Sequence, residues 1–305
     1  MGQRKRSSER SEQSGIVGWA VALLVVLGLF AGVAVVVMKM LPDGGPEHDE
    51  CTVTASDGTA DFDPAQAANA ATIAAVAQAR GLPERAVTIA LATSMQESKL
   101  FNIDYGDADS LGLFQQRPSQ GWGTPEQVQD PVYAAGKFYD GLVKVRGYET
   151  MPLTEAAQEV QRSAFPEAYA KHEPEAAVLA AALTGRAPGA LSCRLKGDPA
   201  PATAAPIRSA LAEEFTPVLP AQSITETASG TLSVRPGADP GRGWAIASWT
   251  VAHASELRVR EIAFDGKVWT REDSGKGWRV GQATGPSGGS PPPADPTIVR
   301  IRYAD

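Results

Sequence analysis

Residues 15–38, GIVGWAVALLVVLGLFAGVAVVVM, run for 24 positions without one charged side chain. As a helix this stretch is roughly 36 Å long, more than the hydrocarbon core of a bilayer at about 30 Å. An uncharged run of that length reads as a transmembrane helix rather than as a buried helix of a globular core. Arg4, Lys5, Arg6 and Arg10 precede it, whereas Lys39 alone follows before Asp43, Glu47, Asp49 and Glu50. The positive-inside rule therefore leaves the N-terminus in the cytoplasm and the chain after residue 41 outside. A cleaved signal peptide is the competing reading. The length of the apolar run and the lack of an Ala-x-Ala site after Met38-Lys39-Met40 argue against it.

With 305 residues, 43% hydrophobic and 21% charged, the rest of the chain has ordinary globular composition and room for two modest domains. Four basic and two acidic side chains in residues 1–14 contribute +2 to the formal charge of −7, leaving −9 beyond them. Such an acidic balance argues against an electrostatic grip on nucleic acid or on anionic wall polymers. Both cysteines, Cys51 and Cys193, fall on the expected outer side, where a disulfide persists, although two buried thiols remain the alternative.

Residues 41–50, LPDGGPEHDE, read as an acidic spacer. Helix signals then recur. Asp63-Pro64 opens a helix that Gly81 can close, Pro83 opens another, and Thr124-Pro125 and Asp130-Pro131 each read as an N-cap followed by proline at the first helical position. The glycine-containing segment between Glu97 and Trp122 reads as a structured loop region. After Cys193 the segment KGDPAPATAAP reads as a Pro/Ala linker. Beyond it, residues 241–257 suit an amphipathic helix. Residues 258–264 and 267–270, separated by the turn dipeptide Asp265-Gly266, and residues 297–302 suit strands. The insert GPSGGSPPPADP, residues 285–296, reads as an extended loop.

The chemistry-bearing stretch is Ala92-Thr93-Ser94-Met95-Gln96-Glu97-Ser98, followed by Asp104 to Ser110 and then Leu111-Gly112-Leu113-Phe114-Gln115. It resembles the soluble lytic transglycosylases and goose-type lysozymes. In those families a helix ends in a Glu-Ser pair bearing the catalytic acid, and a Gly-Leu-Met-Gln segment follows after a loop. Here Glu97-Ser98 and Gly112-Leu113-Phe114-Gln115 match, with Phe114 in place of Met, and the resemblance covers roughly residues 65–185. It implies that Glu97 is the general acid and that Gln115 lines the glycan groove. Tyr169, in Ala168-Tyr169-Ala170, weakly echoes the tyrosine that faces this acid, but the neighbouring Asn and Gly of that motif are missing. Ser98 reads as a hydrogen-bonding support to the substrate site rather than a nucleophile, since no histidine adjoins it in sequence to activate it.

Placement in the last turn of a helix supports the same role for Glu97 independently. The negative end of the helix dipole holds its proton more tightly, and apolar neighbours would add to the shift. Lytic transglycosylases need only this one carboxylate, because the substrate's own hydroxyl is the nucleophile. Asp107, in Tyr105-Gly106-Asp107, falls near where the goose-type lysozymes that the chain resembles carry a Gly-Asp, and that resemblance makes it the candidate for a second carboxylate that assists water. Asp104, Asp107 and Asp109 read equally well as solvated turn residues or, less well, as a cation site, for which the calcium-loop spacing is absent. Trp122, Tyr133, Phe138 and Tyr139 offer either sugar-stacking faces or core.

The C-terminal pattern from Trp244 to Trp278 resembles a small α/β module appended to cell-wall hydrolases and distantly similar to zinc D,D-peptidases. It holds one histidine, His253, too few for a zinc site. The expected fold is thus a mainly α lysozyme-like domain over residues 51–195 and a small C-terminal α/β domain over 206–305. A cytoplasmic tail (1–14), a transmembrane helix (15–41) and a spacer (42–50) precede the first, and a linker (196–205) joins the two. The expected function is cleavage of the MurNAc-GlcNAc β-1,4 bond in peptidoglycan glycan strands, by a lytic transglycosylase or muramidase without metal or cofactor. A non-catalytic peptidoglycan-binding scaffold or sensor is the alternative. A transport component finds little support, because one uncharged span forms no pore. No protein partner can be read from the sequence.

Overall fold

Helix α1, Pro64–Ala79, is so rich in alanine that nearly every side chain from Ala67 to Ala77 is buried, on all faces of the helix. A helix without a polar face belongs inside a structure, and small side chains let its neighbours approach closely. Asp63 starts it as the sequence suggests. Its carboxylate accepts from Ala65 N at 2.8 Å, and Gln66 Oε1 accepts from Asp63 N at 2.8 Å, a capping box with Pro64 at the first position.

The computed structural model describes residues 48–163, 165–227, 230–237, 239–281 and 297–304. The apolar run 15–38, the tail before it, the first part of the spacer and the insert 285–296 lie outside the described residues. Among the described residues no helix is long and apolar enough to cross a membrane.

Seven further helices follow α1. They are α2 (Glu84–Ser98), α3 (Pro125–Val128), α4 (Pro131–Leu142), α5 (Leu153–Gln161), α6 (Glu173–Leu183), α7 (Ala204–Phe215) and α8 (Pro240–Ala252). A 3-10 segment, Pro166–His172, links α5 to α6. Strands β1 (Glu50–Ala55), β2 (Gly58–Phe62) and β3 (Leu191–Arg194) form an antiparallel sheet in the order β2-β1-β3. Cys51 and Cys193 sit opposite each other in this sheet and are joined by a disulfide. Strands β4 (Ile224–Thr227), β5 (Thr231–Val234), β6 (Val259–Phe264), β7 (Lys267–Thr270), β8 (Arg279–Val280) and β9 (Val299–Tyr303) form a second antiparallel sheet, ordered β4-β5-β9-β6-β7-β8.

This corrects the expected architecture of a mainly α domain with a separate small α/β domain; the expected spanning helix lies outside the described residues. Eight helices and two antiparallel sheets of the described residues belong to one compact unit, 48–305, and one hydrophobic core runs through both halves. The physical reason lies in the contacts. Helix α8 packs against α1, α6 and β3, so the second half closes over the alanine-rich helices of the first. Gly185, at φ +81°, lets the end of α6 meet the backbone of Gly241 at the start of α8, where a Cβ would collide with the Gly241 carbonyl. Trp269 Nε1 donates to Cys193 O at 3.2 Å, and Trp278 Nε1 to Leu191 O at 2.8 Å. Residues 196–205 are no free linker either. Lys196 N donates to Asp49 Oδ1 at 2.8 Å, Ala202 N to Ala304 O at 2.7 Å, and α7 has begun by Ala204. His253, just past α8, is buried and its ring lies 4.3 Å from that of Trp249.

Candidate active site

Helix α2 ends at the point where the chemistry is expected. Lys99 and Leu100 both take left-handed backbone, at φ 56° and 61°, and their N–H groups bond back to Met95 O and Ser94 O. The helix is closed off in the manner of a Schellman turn, immediately after Glu97 and Ser98. Ser98 is buried, and its hydroxyl donates to Leu113 O at 2.8 Å and to Ser94 O at 3.1 Å; Ser94 Oγ also donates to Leu113 O at 3.0 Å. Ser98 therefore fastens the Gly112-to-Gln115 segment to the end of α2.

That segment is held from every side. Gly112 N donates to Ile103 O at 2.8 Å, and Gly112 takes φ +74° with Val128 O where its Cβ would stand, so no other residue fits without displacement. Phe114 is buried and stacks on Phe138 of α4, centroids 4.8 Å apart, so a large apolar side chain fills this position. Gln115 adopts φ 47°, and its amide donates to Tyr105 O at 3.2 Å and Gly112 O at 3.3 Å.

Tyr169, carried on the Pro166–His172 segment, is fully buried and its Oη donates to Glu97 Oε1 at 2.6 Å. Gln161, the last residue of α5, also hydrogen-bonds the Glu97 carboxylate and donates to Phe114 O at 2.8 Å. Burial pushes the Glu97 carboxyl above the usual glutamate range, and the hydrogen bonds from Tyr169 and Gln161 only partly oppose it. Burial, together with the adjacent Glu97, likewise raises Tyr169, so the phenol keeps its proton and acts as a donor. Gln161 and His172, whose Nε2 lies 3.2 Å from Gln96 Oε1, were not singled out in the sequence. Neither sits in a recognisable motif, and chain folding alone brings them in. Burial holds His172 below the ordinary histidine range.

The loop carboxylates divide differently. Asp109 accepts from Ser119 N at 2.7 Å, Ser119 Oγ at 2.9 Å and Arg117 Nε at 3.0 Å, which hold it at a pKa of about 2 as a loop staple. Asp104 and Asp107 are exposed. Among the described residues only the backbone of Asp107 is engaged, its carbonyl accepting from Ser110 N at 3.0 Å. Among the described residues no group of three or more histidines, cysteines and carboxylates is placed to hold a metal ion.

Beside this arrangement lies an open groove of about 850 Å³, lined among others by Gln115, Trp122, Lys144, Arg146, Gln161 and Arg162. Of the aromatic residues considered for sugar stacking, Phe138 and Tyr139 are core, Tyr133 donates to Trp122 O at 3.2 Å, and Trp122 alone lines the groove. Two aromatics that the sequence did not flag are strongly exposed: Tyr105 at 69%, whose carbonyl takes the Gln115 amide, and Phe165 at 73%, just before the segment that carries Tyr169.

One protein-family model, described as VldE, C-terminal domain, matches residues 227–289. The match falls on the second sheet and α8, contains none of the residues around Glu97, and covers well under half of the chain. A search of curated proteins finds no match.

Proposed function

We propose that the 48–305 unit cleaves the glycan strand of peptidoglycan, with Glu97 as its single general acid and base, as in the lytic transglycosylases and muramidases that its motifs resemble. The observation that carries the reading is the Tyr169–Glu97 hydrogen bond of 2.6 Å at a carboxyl whose burial raises its pKa. A carboxyl that holds its proton more tightly than a solvated glutamate does can protonate a glycosidic oxygen as the C–O bond breaks. The resulting carboxylate, still held by Tyr169 and Gln161, then takes a proton from the attacking hydroxyl. With Asp107 exposed and outside the Glu97 hydrogen-bond network, the muramic acid 6-hydroxyl is the favoured nucleophile, leaving a 1,6-anhydro end. Ser98 acts as a positioning residue that fixes the Gln115 segment, and no cofactor enters. The disulfide between Cys51 and Cys193 supports a setting outside the reducing cytoplasm.

The test is digestion of purified peptidoglycan by the full chain, followed by mass spectrometry. Muropeptide ends lighter by one water are expected, and their loss in Glu97→Gln by on the order of a hundredfold or more. Reducing muramic ends instead would assign water as the nucleophile. Undiminished release by a folded Glu97→Gln chain would overturn the reading.

A further inference from the structure

The chain is acidic overall, at −7, yet the groove beside Glu97 is not. Its lining holds four cationic side chains, Arg117, Lys144, Arg146 and Arg162, against one carboxylate, Glu159. Arg117 is committed to Asp109, with Nε 3.0 Å from Oδ1. Lys144, Arg146 and Arg162 are exposed and make no ion pair among the described residues. Two separate parts of the chain supply them. Lys144 and Arg146 stand on the turn after α4, and Arg162 caps the C-terminal end of α5 with φ 53°. Arg162 directly follows Gln161, whose side chain bonds Glu97, so this charge lies one residue from a group in contact with the acid. Convergence of unneutralised cations from two elements on one open groove, in a chain with excess negative charge, focuses a positive potential where a ligand would lie.

We propose that this groove is a subsite for an anionic substituent on the bound strand, a carboxylate or a phosphate, held by Lys144, Arg146 and Arg162 a short distance along the chain from the bond that Glu97 would cleave. The location rests on the glycan-cleaving reading; the cationic groove does not. Charge averaged over the sequence argued against any grip on anionic wall polymers, and the geometry reverses that locally. Arginine forks suit either oxyanion, while Lys144 adds a point charge. The strand would bind in one register, with its charged branch over these three side chains and its sugar ring beside Gln115 and Gln161.

The test uses the full chain carrying Glu97→Gln, so that binding is read without turnover. Its affinity for insoluble peptidoglycan and for a neutral N-acetylglucosamine oligomer is compared with that of a chain also carrying Lys144→Gln, Arg146→Gln and Arg162→Gln. All three side chains are exposed, and thermal unfolding of both proteins reports whether the fold survives. Binding to the wall should weaken by about tenfold at low salt, with the difference shrinking as salt is added, while binding to the neutral oligomer stays the same. Restoring charge with Lys144, Arg146→Lys and Arg162→Lys should recover most of the loss.

Two treated walls separate the sources. If amidation of its carboxylates abolishes the difference between the two proteins, the substituent is a carboxylate. If removal of phosphodiesters with hydrofluoric acid does so, it is a phosphate. Equal weakening on the wall and the neutral oligomer, no weakening on the wall, or a difference that survives both treatments together would overturn the proposal. The glycan-cleaving reading fails separately, through cleavage that persists in Glu97→Gln.

Discussion

Tyr169 Oη lies 2.6 Å from Glu97 Oε1 and joins residues 72 positions apart, so the acid at the end of α2 is oriented by a segment that folds back much later in the chain. The bond stabilises the ionised carboxylate and thus works against the burial that raises the Glu97 pKa. The proposed cleavage requires the protonated acid, so the rate should fall as pH rises through that raised pKa. Tyr169→Phe removes one of the lowering contacts, and the alkaline limb of kcat/KM should therefore move to higher pH. The maximal rate should drop on the order of tenfold through lost orientation. A pH profile of both proteins checks this; a limb that moves to lower pH would contradict the assignment.

The same raised pKa links stability to pH. The folded state holds the Glu97 proton more tightly than the unfolded chain does, so Glu97 contributes a loss of stability as pH climbs from the unfolded carboxylate range through the folded pKa. Glu97→Gln cannot ionise. Its melting temperature relative to the native chain should thus rise from acidic to mildly alkaline pH, as followed by thermal unfolding at matched ionic strength. A gap that stays constant with pH would show that Glu97 titrates alike in both states.

Gly112 ties the motif to backbone geometry. Its φ of +74° and the Val128 carbonyl at its Cβ position make Gly112→Ala doubly unfavourable, by strain of about 1–2 kcal/mol plus a collision. Gly81, at φ +67° with nothing within 4 Å, carries the strain alone. Gly112→Ala should therefore be the more destabilising of the two in urea unfolding and should also lose activity, because Gln115 moves with the segment. Gly81→Ala should show the smaller stability loss without that effect on turnover.

The disulfide closes a sequence separation of 142 residues across the centre of the first sheet, with both sulfurs buried. The chain-entropy model assigns a loop of this size about 4–5 kcal/mol. Cys51→Ala with Cys193→Ala should lower the melting temperature by on the order of 10 °C for a unit of this size. Calorimetry of the native chain with and without reductant provides the comparison.

Local chemistry was legible in the sequence, and long-range packing was not. Asp63-Pro64, Thr124-Pro125 and Asp130-Pro131 start helices because side-chain caps and proline act over three or four residues. Glu97, Gln115 and Tyr169 could be named from motifs, whereas Gln161 carries no local mark of its contact with Glu97. Strands β1 and β2 were absorbed into the expected helical domain. The six residues from Glu50 and the five from Gly58 are short, and β1 completes its pairing with β3, which lies far along the chain. The hidden partnership between the halves has the same origin. An alanine-rich helix has no apolar stripe to announce which neighbour it will meet, and the Pro/Ala composition of 196–205 resembles a linker whether or not its backbone is hydrogen-bonded.

That partnership makes the last prediction. Trp269, on β7, is fully buried, and its indole donates to Cys193 O on β3, so one side chain joins the second sheet to the first. Trp249 of α8 donates to Glu214 of α7 at 2.6 Å, and Glu214 also takes a hydrogen bond from Thr72 of α1. Burial raises the Glu214 pKa, and its carboxyl is served from both halves, by Trp249 of its own half and by Thr72 of the other. Trp269→Ala should cost about 3–5 kcal/mol through cavity formation, and Trp269→Phe about 1–3 kcal/mol, mainly by leaving the Cys193 carbonyl without its donor. Both losses should appear in one cooperative transition that includes the Glu97 region. A chain ended at residue 205 removes the cover over α1 and α6 and should fail to give a folded, active protein. A truncated chain that unfolds cooperatively and retains activity would show that the helices around Glu97 stand on their own.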